Sequence, residues 1–581
     1  MKSVFTILFG GEAGYGTMSA GSLIAKAAVR KGFWAHNITE FPSLIKGGLN
    51  TSLVCISEEK VTSANPSVRF LGVLSQPALD IHLPRLEKNG ILLYDSGAVH
   101  IAEGQLPPDI VAIGMNIKQE LPVGAPNVMS NALLLGAFAA LTGFPSDWLR
   151  ETLISQFQSN PNTAKLNGEL FDQAFQQFKE QNKHLWNIQA LPQSEERLLL
   201  NGNEAIALGA LTAGVRFSAG YPMTPGTSVL SFLSDHGSSC QLVFKQAEDE
   251  IAAMNMLVGA SFAGARSIGS TSGGGFALMT EALGFAAQAE LPVTMVIAQR
   301  GGPSTGLPTR TMQADLHAAL YAGAGEFFRL VVAPGDIEEC FYETFRTINL
   351  ADQFQIPAII LTDKELSDST STVVQFCGKG LSNQRKSVTL SPETPYLRYL
   401  DTSDGLSPRT FPGVVGGEHI ATSYTHQEDG FYSSGNKEYA EFEPEITRKS
   451  IDKMHRKFHK LQKELQDIGA TLHGPAEADL TLIGWGGTKG AILEAMQIAA
   501  ANHRSVNYLQ ILYPSPFPQE KVCLILQKAR RTLLIEGNST SQMGQLIRQE
   551  TGLLPTAQYL KYDSLPFTPE GIWEKIQEVL A

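Results

Sequence analysis

A chain of 581 residues, 43 % hydrophobic and 18 % charged, reads as a multidomain globular protein, about three or four domains by length. Its net charge of −12, with no basic stripe, argues against nucleic acid as a partner, and no apolar run reaches the ~18 residues of a membrane span. Five scattered cysteines (Cys55, Cys240, Cys340, Cys377, Cys523) with no CxxC argue against a disulfide framework and a locally held iron–sulfur cluster, and for a reducing, cytoplasmic setting.

The N-terminus is apolar only briefly and then glycine-rich, which predicts a first strand over 3–10 and not a signal peptide. GEAGYGTMSAG leads into an amphipathic helix, SLIAKAAVRK, stopped by Gly32, and FWAHNI (33–38) predicts the next strand. Gly14-x-Gly16-x-x-Ser19 nearly matches a dinucleotide fingerprint, and Glu40 stands at about the spacing of a ribose-binding acid. A phosphate cradled at a helix N-terminus and a tight turn that merely needs glycine both fit. Further strands are predicted at 68–75, 90–94 and 110–113, and an apolar core or interface helix at 127–143. Residues 172–200 turn polar and read as a connection between domains.

From 201 the pattern is regular. A helix with Asn203 as a candidate cap is followed by six strands alternating with helices (FSAGYP, QLVFKQ, ARSIGST, PVTMVIAQ, FRLVVAP, PAIILTD), which predicts a doubly wound parallel sheet. Residues 364–450 are irregular, with β-like runs at TPYLRYL (394–400) and GVVGGEHIATSY (413–424). A basic amphipathic helix over 446–469 is read as a linking helix with a solvated face. A last α/β unit, 475–581, has strands DLTLIGWG, RSVNYLQI and RRTLLIEG and a glycine turn, GWGGTKGAI (484–492).

Four stretches fall where strands of that sheet end, the edge along which α/β proteins bind ligands: AGYPMTPGT (219–227), QAEDEIAAMN (246–255), GSTSGGGF (269–276) and QRGGPSTGLPTRTMQADL (299–316). Pro222 and Pro225 fix the backbone on both sides of Thr224, which suits a rigid ligand contact or simply a proline-rich turn. Glu248, Asp249 and Glu250 open a helix, where acids complement the dipole whether or not they have another task. Arg310, in a long loop with two prolines, is a candidate carboxylate receptor through its planar fork, against the alternative of a surface ion pair.

Together these stretches resemble the α subunits of the 2-oxoacid:ferredoxin oxidoreductases. YPMTPGT resembles the family's YPITPS/T, with Met223 for isoleucine and Gly226 for the serine; GPSTGLPTRTMQADL resembles GPSTGxPT(K/R)xxQxDL; and GSTSGGGF resembles TSTSGPGF, with Gly274 for proline. Residues 8–57 resemble the family's γ domain, a GGQG-like turn (Glu12 in glutamine's place) and later Lys46-Gly47-Gly48 before a strand; GGEHIATSYTHQEDG (416–430) is similar to its EHDExG stretch.

The resemblance implies a multidomain α/β fold. Its parts are a γ domain over 1–190, a thiamine-diphosphate-enzyme pyrimidine-type doubly wound parallel sheet over 196–365, an irregular connection with a linking helix over 366–470, and a transketolase-C-like α/β domain over 471–581. It implies oxidative decarboxylation of a 2-oxoacid with CoA, electrons passing to ferredoxin, with 2-oxoglutarate favoured because its second carboxylate suits Arg310. Carried over by motif, Glu250 (Glu248 as second choice) meets the pyrimidine ring, with Tyr221, Pro222 and Gly274 at the cofactor. Thr224 lines the reacting centre, and Lys46, Gly47, Gly48, Gly14 and Gly16 form a CoA half-site. No metal ligands are assigned to this chain. With neither GDG nor cluster cysteines present, the Mg2+–diphosphate site and a 4Fe-4S cluster belong to a partner β subunit in an αβ or α2β2 complex. Ala324 stands where relatives often carry histidine. Two other readings are kept: a dehydrogenase holding NAD on the N-terminal glycine turn, and a non-catalytic assembly subunit.

Overall fold

Strand β1 (Val4–Glu12) is apolar along nearly its whole length because it is buried on both faces of a sheet. The structure, a computed structural model, describes residues 4–44, 47–183, 185–186, 190–192, 195–383, 385, 390, 395–436 and 441–581. They form two compact units, Met1–Asn201 with Asp368–Gln375, and Gly202–Ser367 with Phe376–Ala581.

The first unit is built on eight strands. With β2 (Trp34–Glu40), β3 (Leu49–Ser57), β4 (Val68–Val73), β5 (Leu86–Asp95), β6 (Val111–Met115) and β7 (Arg197–Leu200), the order is β6-β5-β4-β1-β3-β2, then Thr370–Val374, then β7. The helix Thr17–Val29 after β1 begins earlier than the pattern predicts, and β2 does not lie beside β1. Between them runs β3, antiparallel to both, in register from Val4↔Ser57 to Glu12↔Leu49. A parallel β-α-β dinucleotide unit is therefore not what the glycine turn opens. The helix Ser130–Thr142 is buried along its whole length beneath this sheet, its apolar circumference matched by core on every side.

Two polar stretches have more structure than predicted. Of 172–200, the first part completes the helix Pro161–Phe178 and the last forms β7. Within 366–470, Thr370–Val374 joins the first unit's sheet through antiparallel pairing with β2 and β7. The run 413–424 forms no strand, nor do residues 395–400 of the other predicted run.

In the second unit, β8 (Phe217–Gly220), β9 (Val243–Gln246), β10 (Ser267–Thr271), β11 (Thr294–Gln299), β12 (Leu330–Val332) and β13 (Ala358–Asp363) form one parallel sheet ordered β12-β13-β11-β10-β8-β9. All six strands are parallel and β8, β10 and β11 are neighbours, so the loops after them meet at one edge. Asn203 is not a cap. It lies inside the helix Gly202–Thr212 and donates to the Pro225 carbonyl (2.8 Å) and Ser228 Oγ (2.7 Å), fixing the turn after β8 from below.

The same unit contains a five-stranded sheet, Ala470–His473, Val506–Ile511, Leu480–Gly484, Thr532–Glu536 and Ala557–Leu560 in spatial order, parallel except at the first strand. Gln313 ties the two sheets together. Its Nε2 donates to the Trp485 carbonyl (2.9 Å), and its Oε1 accepts from Gly537 N–H (2.9 Å). The glycine turn at 484–492 serves the same junction, Gly487 N–H donating to the buried Asp363 carboxylate at 2.9 Å.

The linking helix is Pro444–Leu465, and its basic residues are not all solvated. Lys453 and Lys457 are buried, gripping the two oxygens of Glu290 at 2.6 and 2.7 Å. Burial pushes the Glu290 carboxyl up, but Lys457, Lys453 and Arg398 outweigh it and hold it well below the usual carboxylate range. No helix among the described residues is long and apolar enough to cross a membrane.

Candidate functional site

The Asp249 side chain accepts from Ala252 N–H (2.7 Å) and caps the helix Glu250–Phe262, which makes Glu250 its first residue. Glu250 is buried at 4 % exposure, whereas Glu248, the second choice, points to solvent. The Glu250 carboxylate turns inward toward the end of β10. A Cβ placed on Gly275 would lie 2.6 Å from Glu250 Oε1 and 2.2 Å from Thr271 Oγ1. Glu250 Oε1 is buried and has no hydrogen-bond partner among the described residues, as is true of Ser272 Oγ at the start of the next helix, Gly273–Gln288.

The loop after β11 closes the other side. Gly301 N–H donates to the Arg310 carbonyl (3.1 Å) and Leu307 N–H to the Gly301 carbonyl (2.7 Å), pinching residues 301–310 into a compact hairpin with Arg310 half-buried at its base. Arg300, buried immediately before it, donates from Nη1 to the Thr224 carbonyl (2.7 Å) and so fastens the turn after β8 to the end of β11. Its Nε is buried without a partner. Burial lowers the pKa of Arg300, opposed by Asp315; burial pushes the Asp315 carboxyl up to about 6, opposed by Arg300. The Asp315 carboxylate lies over Gly273, where a Cβ would come within 2.5 Å of both its oxygens.

Thr224, Glu250 and Arg310 thus stand on three loops at one sheet edge. Tyr221 and Pro222 are exposed at its rim, and Gly274 is exposed on the first turn of the helix that begins there, facing the Ser304 carbonyl. Among the described residues Glu250 Oε1, Ser272 Oγ and Arg300 Nε, close to this edge in the chain, are buried and unpartnered, groups that a hydrogen-bonding ligand would satisfy. Among the described residues no cluster of metal-ligating side chains is present.

Comparison with known proteins gives the family. Residues 208–460 match the family described as pyruvate flavodoxin/ferredoxin oxidoreductase, thiamine diP-bdg, and residues 6–177 match pyruvate ferredoxin/flavodoxin oxidoreductase. A 2-oxoglutarate synthase subunit KorA of Methanothermobacter marburgensis is 31 % identical over 66 % of this chain and 98 % of its own. The chain belongs to the 2-oxoacid:ferredoxin oxidoreductase family. Within that family, a 2-oxoacid:ferredoxin oxidoreductase subunit alpha of Saccharolobus solfataricus is 28 % identical over 99 % of this chain and 97 % of its own. A solved 2-oxoglutarate:ferredoxin oxidoreductase from Magnetococcus marinus, with 2-oxoglutarate, coenzyme A and succinyl-CoA bound, is 30 % identical, covers 100 % of both chains and superposes with a TM-score of 0.90. These comparisons do not favour a dehydrogenase.

The family's other carried-over residues lie in the first unit. The register of β1 on β3 brings the glycine turn against Gly47-Gly48, Ala13 N–H donating to the Gly48 carbonyl at 3.2 Å. Gly16 and Gly48 have positive φ (74° and 82°), and a side chain on either would collide with Val128 O or Pro42. Gly14 and Gly47 face open space. Lys46 lies outside the described residues. Ala324 is on an exposed loop held by Arg329, whose Nη1 donates to the Ala322 carbonyl (2.7 Å).

Sequence reasoning passed over Arg300, Asp315, Thr271, Ser272 and Gly275. All five stand in the strand-end stretches 269–276 and 299–316, but Arg300 acts on Thr224, 76 residues away, and local pattern carries no trace of that contact.

Proposed function

We propose that this chain is the γ–α subunit of a 2-oxoacid:ferredoxin oxidoreductase that decarboxylates a 2-oxoacid with CoA, 2-oxoglutarate being the favoured substrate. The observation that carries the proposal is the Glu250 carboxylate, buried at the mouth of a parallel sheet with Oε1 unpartnered. A buried carboxylate oxygen without a donor is costly unless a ligand supplies one. Thiamine diphosphate, when bound, supplies the electron sink for decarboxylation. Glu250 Oε1 would hold the proton at its pyrimidine ring nitrogen, with Tyr221, Pro222 and Gly274 around the ring. The turn fastened by Arg300 would hold Thr224 at the reacting centre, and Arg310 would receive a substrate carboxylate through its fork. CoA would meet the glycine cluster of the first unit, Gly14, Gly16, Gly47 and Gly48, with Lys46.

The diphosphate, its Mg2+ and a 4Fe-4S cluster belong on this reading to a β subunit, and ferredoxin takes the electrons. Tyr221, Ile251, Leu278 and Leu307, 40 to 53 % exposed on the loops and helices that frame the cleft, support a partner seated there. All five cysteines are free, which accords with a cytoplasmic setting.

The test is anaerobic viologen reduction by the co-expressed complex with CoA, thiamine diphosphate, Mg2+ and each of 2-oxoglutarate, pyruvate and 2-oxoisovalerate. Glu250→Gln is expected to lower kcat by about 10²–10⁴. Wild-type activity in Glu250→Gln would make this an assembly subunit, and turnover by the chain alone would misplace the diphosphate site.

A further inference from the structure

Gly275 sits in the first turn of the helix Gly273–Gln288, and unlike the glycines of the tight turns it does not have a positive φ. A glycine inside a helix is less stable than alanine, so its presence needs another reason. The surroundings give one. A Cβ at this position would stand 2.2 Å from Thr271 Oγ1, 2.6 Å from Glu250 Oε1 and 2.9 Å from Glu250 Cγ. Three segments converge on the spot: the end of β10, the start of the helix after β9, and the start of the helix after β10. Among the described residues Thr271 Oγ1 is engaged only at long range, 3.5 Å to the Ser272 carbonyl and 3.9 Å to Met223 Sδ.

We propose that Gly275 and Thr271 are positioning residues for Glu250: the missing side chain of Gly275 leaves the seat the carboxylate occupies, and the Thr271 hydroxyl forms its wall. The inference rests on the reading that Glu250 faces the pyrimidine ring, and it adds why the carboxylate faces that way. An alanine methyl would meet Glu250 at both Oε1 and Cγ as well as the Thr271 hydroxyl, so the carboxylate must turn about its own side-chain bonds to make room. What changes is where the carboxylate points.

The experiment uses the purified complex and two probes with Mg2+, thiamine diphosphate and its analogue with C–H in place of the pyrimidine ring nitrogen that Glu250 would face. Affinities are read by calorimetry. Wild type is expected to prefer the natural cofactor by about tenfold or more, the loss expected for one charge-assisted hydrogen bond. Gly275→Ala is expected to narrow the preference to about twofold or less. Thr271→Val should narrow it several-fold, and Thr271→Ser should restore it. If wild type discriminates and Gly275→Ala discriminates equally, the seat is not what Gly275 provides and the inference falls while the reading of Glu250 stands. If wild type does not discriminate, the reading of Glu250 falls and takes the inference with it. Should Gly275→Ala fail to assemble, the Thr271 pair decides: equal preference in Thr271→Val and Thr271→Ser overturns the wall.

Discussion

Replacing Glu290 by glutamine leaves Lys453 and Lys457 buried with no opposing carboxylate. The Lys457 ammonium is already pulled down to about 8 by burial, against the pull of Glu290. Side-chain exposures are 0 % for Glu290, 4 % for Lys453 and 2 % for Lys457, so solvent does not compensate. Lys453 keeps Ser407 Oγ at 2.6 Å and the Tyr399 carbonyl, which hydrogen-bond it without neutralising it. Removing one partner of a buried ion pair costs about 3–5 kcal/mol. The unit that contains the cluster has roughly 370 residues, which at ~2.1 cal/mol/K per residue gives an unfolding entropy of about 0.8 kcal/mol/K. The expected fall in Tm is therefore about 4–6 °C by scanning calorimetry. It should shrink at alkaline pH, where the stranded lysines shed their protons. Adding Lys453→Met and Lys457→Met should recover most of the loss, since apolar groups of similar volume often replace a buried ion cluster at no net cost. A Tm within 1 °C of wild type for Glu290→Gln, or a triple variant as unstable as the single one, would refute the reasoning.

Two further outcomes follow from the same structure. His36 and His82 in the first unit are lowered by burial to about 4, with Arg85 adding at His82. A base with a depressed folded pKa contributes stability above its ordinary 6.5 that is lost as pH falls toward 4, here up to about 3 kcal/mol for each histidine. Hydrogen exchange in β3 should accelerate across that window, and His82→Gln should flatten the pH dependence; an unchanged slope would remove His82 from the account. Gln313→Ala deletes the two side-chain hydrogen bonds to the Trp485 carbonyl and from the Gly537 N–H, while the Gln313 N–H still donates to the Gly537 carbonyl at 2.7 Å. The Trp485 carbonyl keeps Thr488 Oγ1 at 2.8 Å, so the one group stranded is the buried Gly537 N–H, at a cost of about 1–3 kcal/mol, and hydrogen exchange at residues 300–315 should rise with exchange in β11 little changed.

The six-strand rhythm of 217–363 was legible because buried parallel strands are apolar runs and their helices are long enough to carry a period. The four ligand-edge stretches were legible because proline, glycine and charge at strand ends have few packing uses. Within them Glu250 was set before Glu248 only by family resemblance; the structure shows Glu250 buried and Glu248 exposed, a difference no local pattern carries. Chain order could not show that β3 would insert between β1 and β2, because strand order depends on which edges are free when the sheet closes, and a strand's composition is the same in either neighbour's company. Nor could it show that two lysines of an amphipathic helix would be buried, since their counter-ion, Glu290, lies 163 and 167 residues away. Composition and periodicity by themselves determined the α/β class and the sheet edge at which the loops gather. Tertiary structure alone decided which side chains meet there, the Arg300 hold on Thr224 and the gap at Gly275 above all, because close contacts between distant segments are set by packing and not by any local pattern.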